Sequence, residues 1–297
     1  GFGLGGEWGG AALLAVENAP PGWRARFGMF PQLGAPVGFL AANGLFLILG
    51  MFLTDKDFFA WGWRLPFLGS AVLVFLGLWV RLKLTETPEF AAAQAEAPPP
   101  AVPLAALFSG HLGAAIAGTF AVVACFAVYY IATAFALGYG TTTLEINRET
   151  FLAIQLGAIL FMALSIIIAG WWADKTSPTR VLVVGCIGTV AMGVIFGPAM
   201  GTGQLLPIFL ILSLALFLMG FVYGPLGAYL PHLFPVQLRY TGASFSFNLG
   251  GIIGGALAPI VATWLIQVQG VELVGLYMSA AAAISLGGLW FTSRKPT

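Results

Sequence analysis

The sequence predicts an all-α, polytopic membrane protein, and three observations carry that prediction. Of 297 residues, 59% are hydrophobic and only 8% charged. A soluble globular domain carries about 25% charged residues. The apolar residues fall into nine runs near the length of roughly 20 residues that a membrane helix needs. The basic residues collect in alternate loops between those runs. Twelve Lys and Arg with 11 Asp and Glu cannot clothe such a chain for water, so the apolar surface must face lipid. Forty glycines suit the same setting, because small residues let membrane helices approach closely.

The nine segments cover residues 1–18, 28–52, 61–81, 106–138, 151–173, 179–199, 205–231, 241–268 and 270–292. The polar stretch 82–104 carries Glu86, Glu89, Glu96 and Pro98-Pro99-Pro100. It reads as a linker, stiffened by polyproline, between two helical bundles. The expected division is a first bundle over 1–81, a linker over 82–105 and a second bundle over 106–297. One set of loops holds Arg24, Arg26, Arg81, Lys83, Lys175, Arg180, Arg239, Arg294 and Lys295; the opposite set holds Lys56, Arg64 and Arg148. Basic loops stay inside, which places the linker and the C-terminus in the cytoplasm.

An internal repeat supports the two-bundle plan. Pro20 and Arg24 close the first helix with a Pro-x-x-x-Arg spacing, and Gln32-Leu33-Gly34 follows in the next helix. Pro235 and Arg239 repeat that spacing, and Asn248-Leu249-Gly250 follows. The copies lie six helices apart, and six-helix parallel repeats are a transporter plan. Three helices precede the motif-bearing helix in the second copy. By symmetry three more should precede Gly1, so this chain would hold the last nine of twelve helices.

The stretch Gly170-Trp-Trp-Ala-Asp174-Lys175 followed by Arg180 resembles the G-x-x-x-D-[RK] loop of the major facilitator superfamily. Gly5-Gly6-Glu7-Trp8-Gly9-Gly10, Glu17-Asn18-Ala19-Pro20, Trp61-Gly62-Trp63-Arg64-Leu65-Pro66-Phe67, Glu86-Thr87-Pro88-Glu89-Phe90 and Leu233-Phe234-Pro235 with Arg239-Tyr240 look like its metabolite:proton symporter branch. Members of that branch carry proline and betaine, shikimate, 2-oxoglutarate or citrate. The resemblance implies a major facilitator fold of two six-helix bundles, here with three helices in the first. It also implies a bacterial cytoplasmic-membrane location and uptake of a small polar carboxylate or zwitterion by proton symport. The sequence departs from the family at His232, where a Glu is usual, and at Pro178-Thr179, where Gly-Arg is usual.

Glu7 is the candidate for proton coupling. It lies ten residues from Glu17, about 15 Å deeper along a helix, near the bilayer midplane. A carboxylate there is expensive and tends to face a cavity; burial raises its pKa and a nearby cation lowers it. A purely structural pairing is the alternative. Gln32, Asn43, Gln155 and Asn248 are intramembrane amides that could bind solute or tie helices together. Tyr129, Tyr130 and Tyr223 offer the apolar surface with a polar anchor that suits a pocket. Glu17, Arg26, Gly170, Asp174, Lys175, Arg180 and Arg239 form the candidate gate, with Asp174 favoured near a helix N-terminus. Simple topological anchoring is the other reading of these charges.

The net charge of +1 gives no reason to expect a nucleic-acid partner. Cys125 and Cys186 read as buried thiols, and His111 and His232 are too far apart in sequence to resemble a ligand pair. No cofactor or metal is expected. No phosphate-binding loop of the G-x-x-x-x-G-K-[ST] type occurs, so ATP drive within this chain is not expected. The expected partners are solute, proton and lipid, with the protein a monomer. A channel or a non-transporting sensor on the same scaffold is the alternative, separated from a symporter by saturable, acidifying uptake. A membrane enzyme fits poorly, since no G-x-S-x-G or H-E-x-x-H occurs.

Overall fold

The computed structural model describes residues 2–83, 88–96 and 100–293. Glu86, Thr87, Pro98, Pro99, Arg294 and Lys295 lie outside the described residues. Every predicted segment is helical, and among the described residues there is no strand. The helices are α1 (Phe2–Glu17), α2 (Arg24–Phe52), α3 (Asp55–Ala60), α4 (Leu65–Arg81), α5 (Pro88–Glu96), α6 (Pro103–Gly110), α7 (Leu112–Tyr130), α8 (Ala136–Thr142), α9 (Arg148–Lys175), α10 (Pro178–Gly201), α11 (Leu205–Tyr223), α12 (Leu226–His232), α13 (Arg239–Gly251), α14 (Leu257–Gln269) and α15 (Glu272–Ser293). Short turns fuse several of these, so that eight continuous helices among the described residues are long and apolar enough to cross a bilayer. The ninth predicted segment, α1, has 16 residues, short of the roughly 20 that span hydrocarbon upright.

Three predicted segments differ in detail. The 106–138 run breaks at His111, because α6 ends there, and then continues as one span to Thr142. That span holds a π-helical turn at Ile131–Phe135. The 205–231 run is interrupted at Gly224-Pro225, where proline supplies no N–H. The 241–268 run carries a second π turn at Ile252–Ala256. The linker is also not purely extended, since α5 forms within it.

Side-chain caps set several helix starts. Asn147 accepts from the Thr150 N–H, and Ser177 accepts from the Arg180 N–H. Each satisfies one of the orphan donors of a helix start. Gly270, with φ of +95°, turns the chain between α14 and α15, a conformation that costs glycine little.

The residues from α7 to α15 pack around one apolar core, with α7 against α11, α13 and α15, and α10 against α11 and α15. Without water, close van der Waals packing drives such association. At the α10/α15 crossing the backbones touch: a Cβ on Gly275 would lie 2.0 Å from the Gly193 oxygen. Helices α1 and α2 lie against this core through α9, α12 and α13. At the α2/α12 contact a Cβ on Gly227 would lie 2.3 Å from the Gly28 oxygen. By contrast α4 packs lightly, and its Val72 and Phe75 are 70% and 71% exposed.

Cations mark the two ends of the molecule. Arg26 lies over Trp23, Lys83 over Trp79 and Lys175 over Trp171 at one end, with centroid distances of 4.2, 4.2 and 3.8 Å. Arg64 lies over Trp63 at the other. Paired with indole, a cation can sit at the headgroup level. The three-to-one split follows the loop asymmetry read from the sequence.

The α10/α15 seam can be tested directly. Gly275→Ala should cost about 1–3 kcal/mol through overpacking and lower the thermal midpoint of the detergent-solubilised protein. Gly287→Ala, where nothing lies within 4 Å of the added carbon, should leave it unchanged.

Candidate functional site

At the basic end α2 begins without a side-chain cap of its own: Trp23 precedes it, and its first turn holds no acidic residue. The cap comes from the last turn of α9. Asp174 Oδ1 accepts from the Ala25 N–H at 2.8 Å, and Oδ2 from the Arg26 N–H at 3.1 Å. Its side chain is only 5% exposed. The carboxylate thus meets two orphan donors and the positive end of the helix dipole at once. Arg26 Nε lies 3.1 Å from the same Oδ2 without alignment for a hydrogen bond, so this contact is one of charge. Gly170 sits one turn earlier, where a Cβ would lie 2.5 Å from Met29 Sδ. The lack of a side chain brings α9 close enough to α2 for Asp174 to reach.

A second ionic group lies beside the first. Arg239 opens α13, a poor place for a cation because the dipole is positive there. Glu89 of α5 reaches its Nη1 at 2.6 Å, and Glu17 at the end of α1 lies at 3.5 Å. Glu89 also meets Arg24 at 3.2 Å. Burial works to raise the Glu89 carboxyl, yet the hydrogen bond and charge of Arg239, joined by Arg24, hold it below the ordinary value.

Of the predicted gate residues, Glu17, Arg26, Gly170, Asp174 and Arg239 are brought together here. Lys175 and Arg180 are exposed, and Lys175 lies over Trp171 instead. Glu89 and Arg24 were missed. The polar composition of the linker marked it as a spacer and hid a carboxylate that bridges α2 and α13.

Deeper in, an aromatic and amide layer closes the same seam. Trp8 stacks on Phe247 with centroids 3.7 Å apart and planes within 2°. Phe126 and Tyr223 flank Phe247 at 5.0 and 6.4 Å. The Trp8 indole N–H donates to Gln32 Oε1 at 2.8 Å, and Gln32 Nε2 donates to the Tyr223 carbonyl at 2.9 Å. Gln32 is fully buried. The Tyr223 carbonyl lies at the Gly224-Pro225 interruption, where the helix ladder lapses. At 1.5 Å per residue, Gln32, Phe247 and Trp8 stand roughly 9, 12 and 14 Å beyond Arg26, Arg239 and Glu17. The two layers therefore lie one above the other. The sequence reading missed the pairing of Trp8 with Phe247, because aromatic composition alone does not tell a stacked pair from lipid-facing rings.

The other predicted residues are spread out. Gln155 Nε2 donates to the Ala132 and Thr133 carbonyls of the first π turn, at 3.0 and 2.7 Å. Asn43 and Asn248 each donate back to their own helix, at Phe39 O and Ser244 O. Tyr129 and Tyr130 meet edge to face at 5.6 Å. Tyr129 is half-buried and Tyr130 exposed. Glu7 is next to Trp8 on α1 but points to an exposed face.

Comparison with known proteins gives consistent findings. Residues 1–99 match the family described as Sugar (and other) transporter. The chain is 43% identical to the inner membrane metabolite transport protein YhjE of Escherichia coli K12, over 98% of this chain and 68% of the relative. It is 34% identical to the shikimate transporter of the same organism, over 96% and 66%. It is 27% identical to the glycine betaine/proline/ectoine/pipecolic acid transporter OusA of Dickeya dadantii, over 100% and 62%. The chain thus spans about two thirds of the length of these relatives.

Two measurements probe the ionic layer. Asp174→Ala removes the α2 cap, worth about 0.5–2 kcal/mol, and should raise the reactivity of a cysteine placed at the buried Met29 several-fold; Asp174→Asn, which keeps an acceptor oxygen, should raise it less. Because the Glu89 value is depressed on folding, its contribution is present above the ordinary carboxylate value of 4.5 and fades as pH falls through the lower folded value. Thermal midpoints of the unaltered protein and Glu89→Gln should therefore differ at neutral pH and converge in acid below 4.5.

Proposed function

Since the chain belongs to the major facilitator superfamily, among its metabolite transporters, we propose that it carries a small polar organic solute across the bacterial inner membrane by alternating access, driven by proton symport. The observation that carries this reading is the doubly closed seam at the basic end: Asp174 capping α2, and Gln32 bonded to the Tyr223 carbonyl. Both ties run between the helices of residues 1–81 and those of residues 106–297. In this reading 1–81 belongs to one rocking bundle, 106–297 forms the other, and 82–105 is the cytoplasmic linker. The basic end and the C-terminus face the cytoplasm. The structure then corresponds to a state closed inside.

Each tie has a helix from either side of the seam, so each breaks when the bundles rock apart at that end. A ligand moves such an equilibrium only by its differential affinity for the two states. Solute contacts at Tyr129, Tyr130, Tyr223 and Asn248, around the Trp8–Phe247 stack, are the proposed source of that difference. Glu7, one residue from Trp8, is the proposed proton carrier: the rocking helices would alternately expose and cover it. The relatives' solutes, shikimate on one hand and betaines and proline on the other, define the class of carboxylate or zwitterion proposed here.

The test is uptake by the full-length protein in proteoliposomes, with shikimate, proline, glycine betaine and ectoine offered singly under an inward proton gradient. Saturable uptake of at least one, with acidification of the lumen, is expected. Glu7→Gln should abolish gradient-driven accumulation while leaving exchange of solute intact. Uptake that grows linearly with concentration would identify a channel, and gradient-driven accumulation unchanged in Glu7→Gln would remove Glu7 from the coupling role.

A further inference from the structure

Gln155 is fully enclosed, yet its amide points at backbone and not at a cavity. It donates to the carbonyls of Ala132 and Thr133, inside the π turn Ile131–Phe135. In that turn the Ala136 N–H is shared between the Ile131 carbonyl, five residues back, and the Thr133 carbonyl, three back. A π turn holds one residue more than the regular ladder accommodates. In hydrocarbon the carbonyls that lose their regular partners need other donors. Gln155 adds a donor at the Ala132 and Thr133 carbonyls, and the Thr133 hydroxyl donates to the Tyr129 carbonyl at 2.6 Å.

The joint has a companion. The second π turn, Ile252–Ala256, lies in the span that packs against α7. A Cβ on its Gly255 would stand 2.7 Å from the Tyr130 ring. Helix α14, which continues beyond the second turn, packs against the first. The second break therefore meets Tyr130, the residue just before the first break, and the segments beyond the two, α8 and α14, lead away from the basic end. The first break lies about 29 Å along the helix from Leu112. Beyond it, α14 is thinly covered: Ile260 is 68% and Trp264 59% exposed.

We propose that α8 and α14 form a paired outer gate hinged on the two π turns, and that Gln155 is the positioning residue that clasps the hinge in the inside-closed state. A regular α-helix through 131–135 would return the two carbonyls to its own ladder and release the Gln155 amide. Gln155 thus bonds one of two backbone forms better than the other, which is the requirement for biasing a switch. The proposal rests on the transport reading for its purpose, but the hinge itself is read without solute.

The test uses spin labels in the full-length protein in lipid nanodiscs. One pair, at the exposed positions Lys56 and Thr142, reports the outer gap; a control pair, at the exposed Leu82 and Thr176, reports the basic end. Gln155→Leu should shift the outer distance distribution, with the present state falling about tenfold in population, as expected for two lost hydrogen bonds. The control distribution should stay as it is. Gln155→Glu, which keeps one O–H donor when protonated, should restore part of the original distribution as pH is lowered. An unchanged outer distribution in Gln155→Leu overturns the clasp. Loosening of both pairs together also overturns it, showing plain packing glue. Absence of uptake by the unaltered protein would sink the transport reading alone and leave these distances standing.

Discussion

Inside hydrocarbon a backbone N–H or C=O has no water to turn to, and that constraint organises this molecule. Each place where a helix starts, breaks or bulges in the packed interior leaves polar groups behind. Here a side chain from another helix meets them. Asp174 of α9 takes the Ala25 and Arg26 N–H groups. Gln32 of α2 takes the Tyr223 carbonyl. Gln155 of α9 takes the Ala132 and Thr133 carbonyls. Within the regular ladder of α7 as well, Ser285 of α15 accepts from the Ala124 N–H and donates to the Phe120 carbonyl. In each of these cases the buried polar side chain serves the backbone.

The consequence for function lies in where the partners sit. A tie within one bundle stiffens it. A tie across the seam holds a conformation, because the bond and the conformation are lost together. In the proposed cycle Asp174–α2 and Gln32–Tyr223 are ties of the second kind. They are joined by the Trp8–Phe247 stack and the Arg24–Glu89–Arg239 group. Single hydrogen bonds of this sort are worth about 0.5–1.5 kcal/mol net, which keeps each tie reversible. A few in parallel would, on the proposed reading, close one end without locking it. Close approach through Gly28, Gly170 and Gly227 brings the partners within reach.

Much of this could be read from the amino-acid order. Hydropathy located the helices, and eight of the nine predicted segments fall on ones long and apolar enough to cross a bilayer, because the length of an apolar run follows the thickness of the bilayer. Charge sorted the loops into two sets, and the Asp174–Arg26 meeting follows from a carboxylate at one helix end near the start of another. The interruptions were harder. Gly224-Pro225 announces itself, but Ile131-Ala132-Thr133-Ala134-Phe135 contains neither Gly nor Pro, and the amide that meets its bulge stands more than twenty residues away. For the same reason Gln32 and Gln155 read as solute ligands or helix ties without distinction: the sequence shows an amide but not which carbonyl is orphaned. Glu89 was hidden by the polar linker around it. Glu7 has an exposed face beside Trp8, and its proposed role is one that turnover tests and packing does not.

The measurement that bears most directly on a seam that opens is thiol accessibility during turnover. Ala228 is buried where α12 meets α2. A cysteine there, with Cys125 and Cys186 replaced by alanine, is closed to a membrane-impermeant reagent applied at the basic end. Alternating access predicts that it becomes reactive from that end when an inward proton gradient and a transported solute are supplied together. If Ala228→Cys stays unreactive while uptake proceeds, α2 and α12 do not part, and the ties described above are fixed joints.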